Sequence, residues 1–502
     1  MPSIRRAVLY IIALAVIPSV AHPQSAPIEG LNSYIEQAMQ DWEVPGLAIA
    51  VVRGDSVILA RGYGVRTKGG SDAVDENTLF AIASTTKAFT TAALGMLVDE
   101  GKLDWDDPVR TYLPELEFGV PYLTREITVR DLVTHRVGVS RSDNLWIAAP
   151  FNRAEIIRRV RYLPTVDSFR EEYGYHNIMF IAAGEVVAEA SGSSWDDFIE
   201  TRIFEPLGMT RSTTRAAVVE TRDNVASSHT YVDGEVQPVE RRDYDNIGGA
   251  GAIFSSVSDL SKWLRFHLHD GVFEGERLLS DSTIQEIRTP QTVIGVDSVT
   301  ERLMPSTHFT TYGLGWTLQD YAGRKLVHHS GSLNWTRTQI AMIPSEDIGV
   351  AVIANLGSSN LQKAIAFRVL DALLDRPAVD WSAEYLALEE RGERRSDERA
   401  REVEEAHVLG TSPSLQAEAY TGTYTSELYG KLTISLEDDH LVLEYAPDYI
   451  ADLEHWHFDT FRGNWRREGY GSDFITFVLD ARGEVQSLTL DGFGEFEREE
   501  ED

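Results

Sequence analysis

The chain has 502 residues, with 46 Lys and Arg against 79 Asp and Glu, a formal net charge of -33, a pI near 4.8 and 43% hydrophobic residues. This charge repels nucleic acid and anionic membrane surfaces, and with no cysteine there is no disulfide, thiolate metal site or lipid-bearing N-terminal cysteine. Length alone suggests about three shares of roughly 150 residues, two of which one large fold can occupy.

The chain opens with Arg5 and Arg6, an apolar run from Ala7 to Ile17, Pro18 and the small residues Ser19 and Ala21. This is the pattern of a secretory signal over residues 1–21, cleaved after Ala21 with Ala26 as a second site; the run is too short for a spanning helix. Export to a periplasmic or secreted location is therefore expected. Ile28 to Trp42 reads as an amphipathic helix. Gly46 to Ala60 reads as a hairpin turning at Arg53-Gly54-Asp55.

Ala81-Ile82-Ala83-Ser84-Thr85-Thr86-Lys87 follows, leading into the apolar run Thr90 to Val98, which Gly101 ends. The pattern predicts a buried helix with Ser84 at its N-terminus, where unpaired N–H groups and the helix dipole favour a developing negative charge. Lys87, three residues on, shares a helix face with Ser84. Buried and neutral, it would take the hydroxyl proton and make Ser84 a nucleophile. Leu103 to Pro114 is turn-rich. Ile127 to His135 reads as a short helix leading to a loop over Arg136 to Trp146.

Tyr175 and Asn177 stand at the start of a second apolar helix, where a phenol and an amide can face one cleft. A second such pair, Tyr244 and Asn246, runs into the glycine-rich Ile247 to Gly251, which reads as a flexible loop less able to hold a pair rigid. Farther on, Leu326 to Trp335, Thr338 to Ile343 and Ile348 to Asn355 read as successive strands joined by a Pro344 to Asp347 turn. The small residues Ser330, Gly331 and Ser332 would let a substrate lie against the strand edge and pair with its backbone. No internal repeat is evident up to residue 380.

Taken in order, Ser84/Lys87, Tyr175/Asn177 and His329/Gly331 resemble the Ser-x-x-Lys, Tyr-x-Asn and Lys-Thr-Gly (or His-x-Gly) motifs of the serine β-lactamase and penicillin-binding protein superfamily, in particular its class C β-lactamase-like branch. Further stretches similar to that family are Phe204 to Met209, Gly249 to Gly251 and Tyr312 to Trp316. The resemblance spans about residues 28–380 and implies a mixed α/β fold, an antiparallel sheet flanked by helices plus a helical lobe with the site between them. It implies hydrolysis through an acyl-enzyme on Ser84, with Lys87 and Tyr175 shuttling the proton and either of them the base. Backbone N–H groups of Ser84 and Ser332 would form the oxyanion hole, Asn177 would hold a substrate amide, and His329 the leaving or carboxylate side. No metal or organic cofactor is implied, and a homo-oligomer is left open.

The sequence departs from most β-lactamases in carrying histidine rather than lysine at His329, which favours the aminopeptidase and esterase members, D-aminopeptidases included. The implied function is a peptidase of aminopeptidase or carboxypeptidase type; the alternatives are a carboxylesterase, a weak β-lactamase, or a catalytically silent binding protein. A titrating His329 would place an activity change near pH 6.5, rising if the ring must be neutral and falling if it must be cationic.

Past residue 380 the charged segment Ala383 to Ala406 reads as a linker helix within 381–412. Short alternating runs over 413–494 predict a small antiparallel barrel. This barrel resembles the lipocalin-like domain that often follows the peptidase fold. His455 and His457 share a strand face but are too few for a metal site. Residues 495–502 read as an acidic, disordered tail. Because the site residues all precede it, the barrel is expected to be dispensable, so that a chain ending near Pro377 folds and acts on a small ester.

Overall fold

Gly46–Arg53 and Ser56–Gly64 pair as the expected hairpin and begin an eight-stranded antiparallel sheet. The structure, a computed structural model, describes residues 28–500; the expected signal at 1–21 lies outside the described residues. Across the sheet the strand order is Ser56–Gly64, Gly46–Arg53, Ile348–Ala354, Thr336–Ile343, Arg324–Leu333, Thr317–Tyr321, Thr310–Tyr312 and Thr292–Ile294. Among the described residues no helix is long and apolar enough to cross a membrane.

Strand alternation divides the core into two layers. Leu47, Ile49 and Val51 pack with the helices Leu31–Asp41 and Leu361–Leu373, while Ala48, Ala50 and Val52 face the helix Val257–Leu268, beyond which lie Thr86–Asp99 and Asn177–Ser191 in the same apolar cluster. Ile348–Ala354 is buried at every position, as a central strand covered on both faces must be. The two helices that carry the candidate residues are apolar nearly all round, and Phe89 and Phe180 near their N-terminal ends are inaccessible to water. The turn that opens the first of them lies against the strands Arg324–Leu333 and Thr336–Ile343.

The charged segment is a single helix, Trp381–Glu405, anchored at its start by buried Trp381, whose indole donates to Asp371 at 2.8 Å. A closed barrel of eight strands follows, from Gly422–Ser426 to Gly494–Arg498. Residues 495–498, expected in a disordered tail, instead form the closing strand, with Phe496 buried inside. Their alternation of acidic and apolar residues is a strand pattern that the charge obscured. His455 and His457 are engaged with Phe458 and Val408 at a strand bulge.

The barrel also departs from the expectation of an independent appendage. Its core and that of the preceding domain are one contiguous apolar cluster. Phe151 packs against Gly430, Trp335 against Gly469, and Arg242 forms an ion pair with Asp448 at 2.9 Å while its guanidinium lies over Tyr449.

Several histidines are buried as neutral rings. Burial holds His176 at about 4 and His329 at about 3, and holds His135 and His267 well below the ordinary histidine range. In the unfolded chain each protonates near 6.5. As pH falls below that value the unfolded state gains protons that the folded state refuses, so stability declines. Each ring contributes up to about 1.4 kcal/mol per pH unit until its folded pKa is reached. We expect urea midpoints to be flat from pH 8 to about 6.5 and to fall steeply toward pH 5; a midpoint constant down to pH 5 would contradict these burial states.

Candidate active site

Ser84 sits in the short 3-10 turn Ala83–Thr85 that feeds directly into the Thr86–Asp99 helix. The preceding Ala83 is held at φ 52, a left-handed conformation unusual for a residue with a side chain. That kink lifts Ser84 out of the buried run, and it is partly exposed while its neighbours are not.

Lys87 is fully buried and makes three contacts: Ser84 Oγ at 3.2 Å, Asn177 Oδ1 at 2.7 Å and the Ala250 carbonyl at 2.9 Å. Burial holds its amine well below the ordinary lysine range, opposed by the charge of Asp143 and assisted by Arg141. Among the described residues no carboxylate touches the nitrogen; Nζ lies 4.9 Å from the Tyr175 ring centre and 5.2 Å from that of Phe180. Ala250 belongs to the Asp245–Ala250 turn, expected to be flexible; the structure makes it a 3-10 segment tied down by Thr90, whose hydroxyl donates to the Gly249 carbonyl at 2.7 Å. Asn246, weighed at the sequence level with Tyr244, donates to the carbonyls of Trp146 and Phe151 and stands apart from Ser84.

The Tyr175 hydroxyl faces Ser84, and burial raises its pKa, so it is a phenol rather than a phenolate. Asn177, expected to hold a substrate amide, has both ends engaged: Oδ1 accepts from Lys87 and Nδ2 donates to Asp143 at 3.0 Å.

Gly331 lies where the Arg324–Leu333 strand crosses the Ser84 turn. A Cβ there would stand 2.4 Å from the Ile82 carbonyl oxygen and 3.2 Å from Ser84 N, so only glycine permits the approach. Pairing of this strand with Thr317–Tyr321 ends at Thr317 opposite His328, leaving the edge over His329 to Leu333 open beside Ser84. Ser332 is the exposed residue of that edge.

His329 departs from its expected role. Its Nδ1–H donates to the Ser330 carbonyl at 2.7 Å and its Nε2 accepts from the Tyr312 hydroxyl at 2.9 Å, so both ring nitrogens are engaged within the protein. With its pKa held to about 3, chiefly by burial, it does not titrate near 6.5 and offers no cation to a carboxylate. Positive charge comes from Arg337 and Lys363, which line the same cleft of about 320 Å³ as Ser84, Arg141 and Tyr175. Among the described residues neither forms an ion pair with a carboxylate, and burial lowers the pKa of both. Sequence reading gave no role to Asp143, Arg337 or Lys363, which sit in no motif, and marked Tyr312 only as the first residue of a family-like stretch; the chain distances that separate all four from Ser84 are closed only by the fold.

Residues 31–374 match the β-lactamase family, and residues 406–502 match a domain of unknown function (DUF3471). The chain belongs to the β-lactamase family. It is 30% identical over 436 residues, 82% of this chain and 78% of the relative, to the unguisins hydrolase ungD' of Aspergillus campestris. It is 26% identical over 350 residues to protein flp of Staphylococcus aureus, covering 67% of this chain and 64% of that protein. Among solved structures, an octameric penicillin-binding protein homologue from Pyrococcus abyssi superposes with a TM-score of 0.62 at 24% identity, covering 94% of this chain and all of that one. SurE with D-Leu superposes at 0.55 and 20% identity, over 94% and 99% of the two chains. These likenesses establish a hydrolase family of this fold.

Proposed function

We propose that the protein is an exported serine peptidase that works through an acyl-enzyme on Ser84, with Lys87 as the base. The observation that carries this reading is the set of partners around the Lys87 nitrogen. A neutral amine has two N–H groups and one lone pair. The Ala250 carbonyl can only accept, and Asn177 must also present its oxygen, because its NH₂ is turned to the Asp143 carboxylate. Those two acceptors take both N–H groups and leave the lone pair directed at Ser84 Oγ. Burial keeps the amine neutral so that the pair is available.

Ser84 Oγ attacks the carbonyl as its proton passes to Lys87. Tyr175, a phenol beside Ser84, lies where it can give its proton to the leaving amine and take back the one that Lys87 received, restoring both groups. Backbone N–H groups of Ser84 and Ser332 are assigned to the developing oxyanion, which the close approach at Gly331 supports. The open edge beyond His328 offers backbone pairing to a peptide, which a simple ester lacks. Arg337 and Lys363 favour a substrate with an anionic end, as in a carboxypeptidase. A relative named an unguisins hydrolase supports hydrolysis, and a structural neighbour solved with D-Leu supports D-residues in the substrate.

A fluorophosphonate probe should label Ser84 alone. Ser84→Ala should lose labelling and turnover, with a stability change of about 1 kcal/mol, since a single hydroxyl is removed at a helix start. Labelling of the variant at the wild-type rate would sink the mechanism.

A further inference from the structure

We propose that Asp143 is a positioning residue of this site and that the barrel holds it in place, so that Asp143 through Asn177 sets the Lys87 amine against Ser84. The inference rests on the acyl-enzyme reading above. Asp143 is largely buried, with 16% of its side chain accessible. One oxygen accepts from Asn177 Nδ2 at 3.0 Å and from the Trp146 indole at 2.8 Å, while the other pairs with Arg141. A carboxylate only accepts. With the Asn177 amide reversed, two acceptors would face each other at Asp143 and two donors at Lys87. The carboxylate therefore decides which way the amide faces, and the amide decides where the Lys87 hydrogens point.

The loop bearing Asp143 is held from two domains. On the catalytic side, His176 donates to the Ser140 carbonyl at 2.8 Å and the Ser140 and Ser142 hydroxyls are 2.7 Å apart. Ser142 sits at φ 40, a conformation that a residue with a side chain keeps only where its surroundings impose it. On the barrel side, Asn144 Nδ2 donates to the Gly492 carbonyl at 2.9 Å, and the Tyr429 hydroxyl faces Ser142. Gly492 lies in the turn between the last two strands, Val485–Leu490 and Gly494–Arg498. A short path thus runs from barrel closure through the Asn144 and Asp143 loop to Asn177 and Lys87.

Charge acts along the same path. The groups facing Lys87 are Ser84 from its own turn, Tyr175, His176 and Asn177 from the start of the second helix, His135 and His329 from packed elements, and Asp143 and Arg141 from the loop. Asp143 supplies the negative charge acting on the amine.

The test is the rate of fluorophosphonate labelling by the full-length protein across roughly pH 5 to 9. Asp143→Asn keeps an acceptor of the same shape and removes the charge, so the acid limb should move to lower pH by roughly half a unit or more with little change in Tm. Asp143→Ala frees the amide, and the plateau rate should fall about 10-fold or more. Asn144→Ala, which removes the hydrogen bond to the barrel's Gly492 and leaves the Tyr429 contact, should give a smaller loss of plateau rate. An acid limb and plateau unchanged in both Asp143 variants would overturn the role of Asp143, and an unchanged Asn144→Ala would overturn the barrel's part. Ser84→Ala, run alongside, separates the two readings: if it labels, the acyl-enzyme fails, and if it is silent while the Asp143 variants match wild type, only this inference fails. Should Asp143→Ala not fold, the acid limb of Asp143→Asn decides.

Discussion

Lys87→Met is expected to lower turnover on the order of 10³-fold while changing the stability of the folded chain by no more than about 2 kcal/mol. The two effects have different origins. On the proposed mechanism turnover falls because Ser84 loses the lone pair that takes its proton, a loss of about 4 kcal/mol in transition-state stabilisation. Stability changes little because opposing terms meet at the same atom. Methionine fills nearly the volume of the lysine stem and removes the desolvation of a fully buried amine, but leaves the Ala250 carbonyl and Asn177 Oδ1 without a donor. Steady-state rates on a peptide substrate and urea unfolding, measured on the same preparation, check both halves. A variant that retains a tenth of the wild-type rate would remove Lys87 from the mechanism. One that unfolds several kcal/mol more easily would make its role structural.

Ending the chain at Pro377 is expected to yield insoluble or largely unfolded protein, contrary to what the order of the motifs suggests. Removing the barrel bares Phe151, Tyr244 and Trp335, at roughly 1.5–3 kcal/mol for each side chain fully uncovered, against a total stability of about 5–15 kcal/mol. It also strips Asp448 from Arg242. Loss of Trp381 opens the second layer beside Phe367 and takes a donor from Asp371, which is fully buried. A chain ending at Glu405 keeps Trp381 and separates the two contributions. It should be more soluble than the shorter chain yet remain less stable than the full one. Soluble yield, circular dichroism and limited proteolysis measure this, and a soluble, active protein ending at Pro377 would show that the contiguous core is dispensable.

The legible parts of the sequence were those whose physics is local. The apolar runs after Ser84 and Asn177 have almost no polar face, and such helices belong inside a core. The hairpin around Gly54, the three consecutive strands ending at Ala354 and the long charged helix follow from alternation, turn residues and charge. Lys87 one turn from Ser84 is a property of helix geometry and needs no tertiary information. Gly331 is half-legible: the small residue announces a close approach, but what approaches is the Ser84 turn, 247 positions away by numbering (331 − 84).

What the fold alone decided is which polar groups meet, since hydrogen-bond partners distant in sequence leave no periodic trace. At His329 the sequence shows a titratable ring and so a pH switch. Burial, the Ser330 carbonyl and the Tyr312 hydroxyl instead hold it neutral and engaged. At Asn177 the sequence shows an amide free to bind substrate, and the fold ties it between Lys87 and Asp143. The acidic stretch after residue 494 reads as a tail until a barrel with one open position receives it, because backbone pairing and burial of Phe496 outweigh the repulsion of its exposed carboxylates. By itself the sequence determined the two apolar helices that begin beside Ser84 and at Asn177, the hairpin and strands of the sheet, and the Ser84 and Lys87 pair. The tertiary structure decided the ionisation of the buried groups, the orientation of the amide and the union of barrel and catalytic domain, because desolvation and hydrogen bonding depend on what surrounds a group and not on its place in the chain.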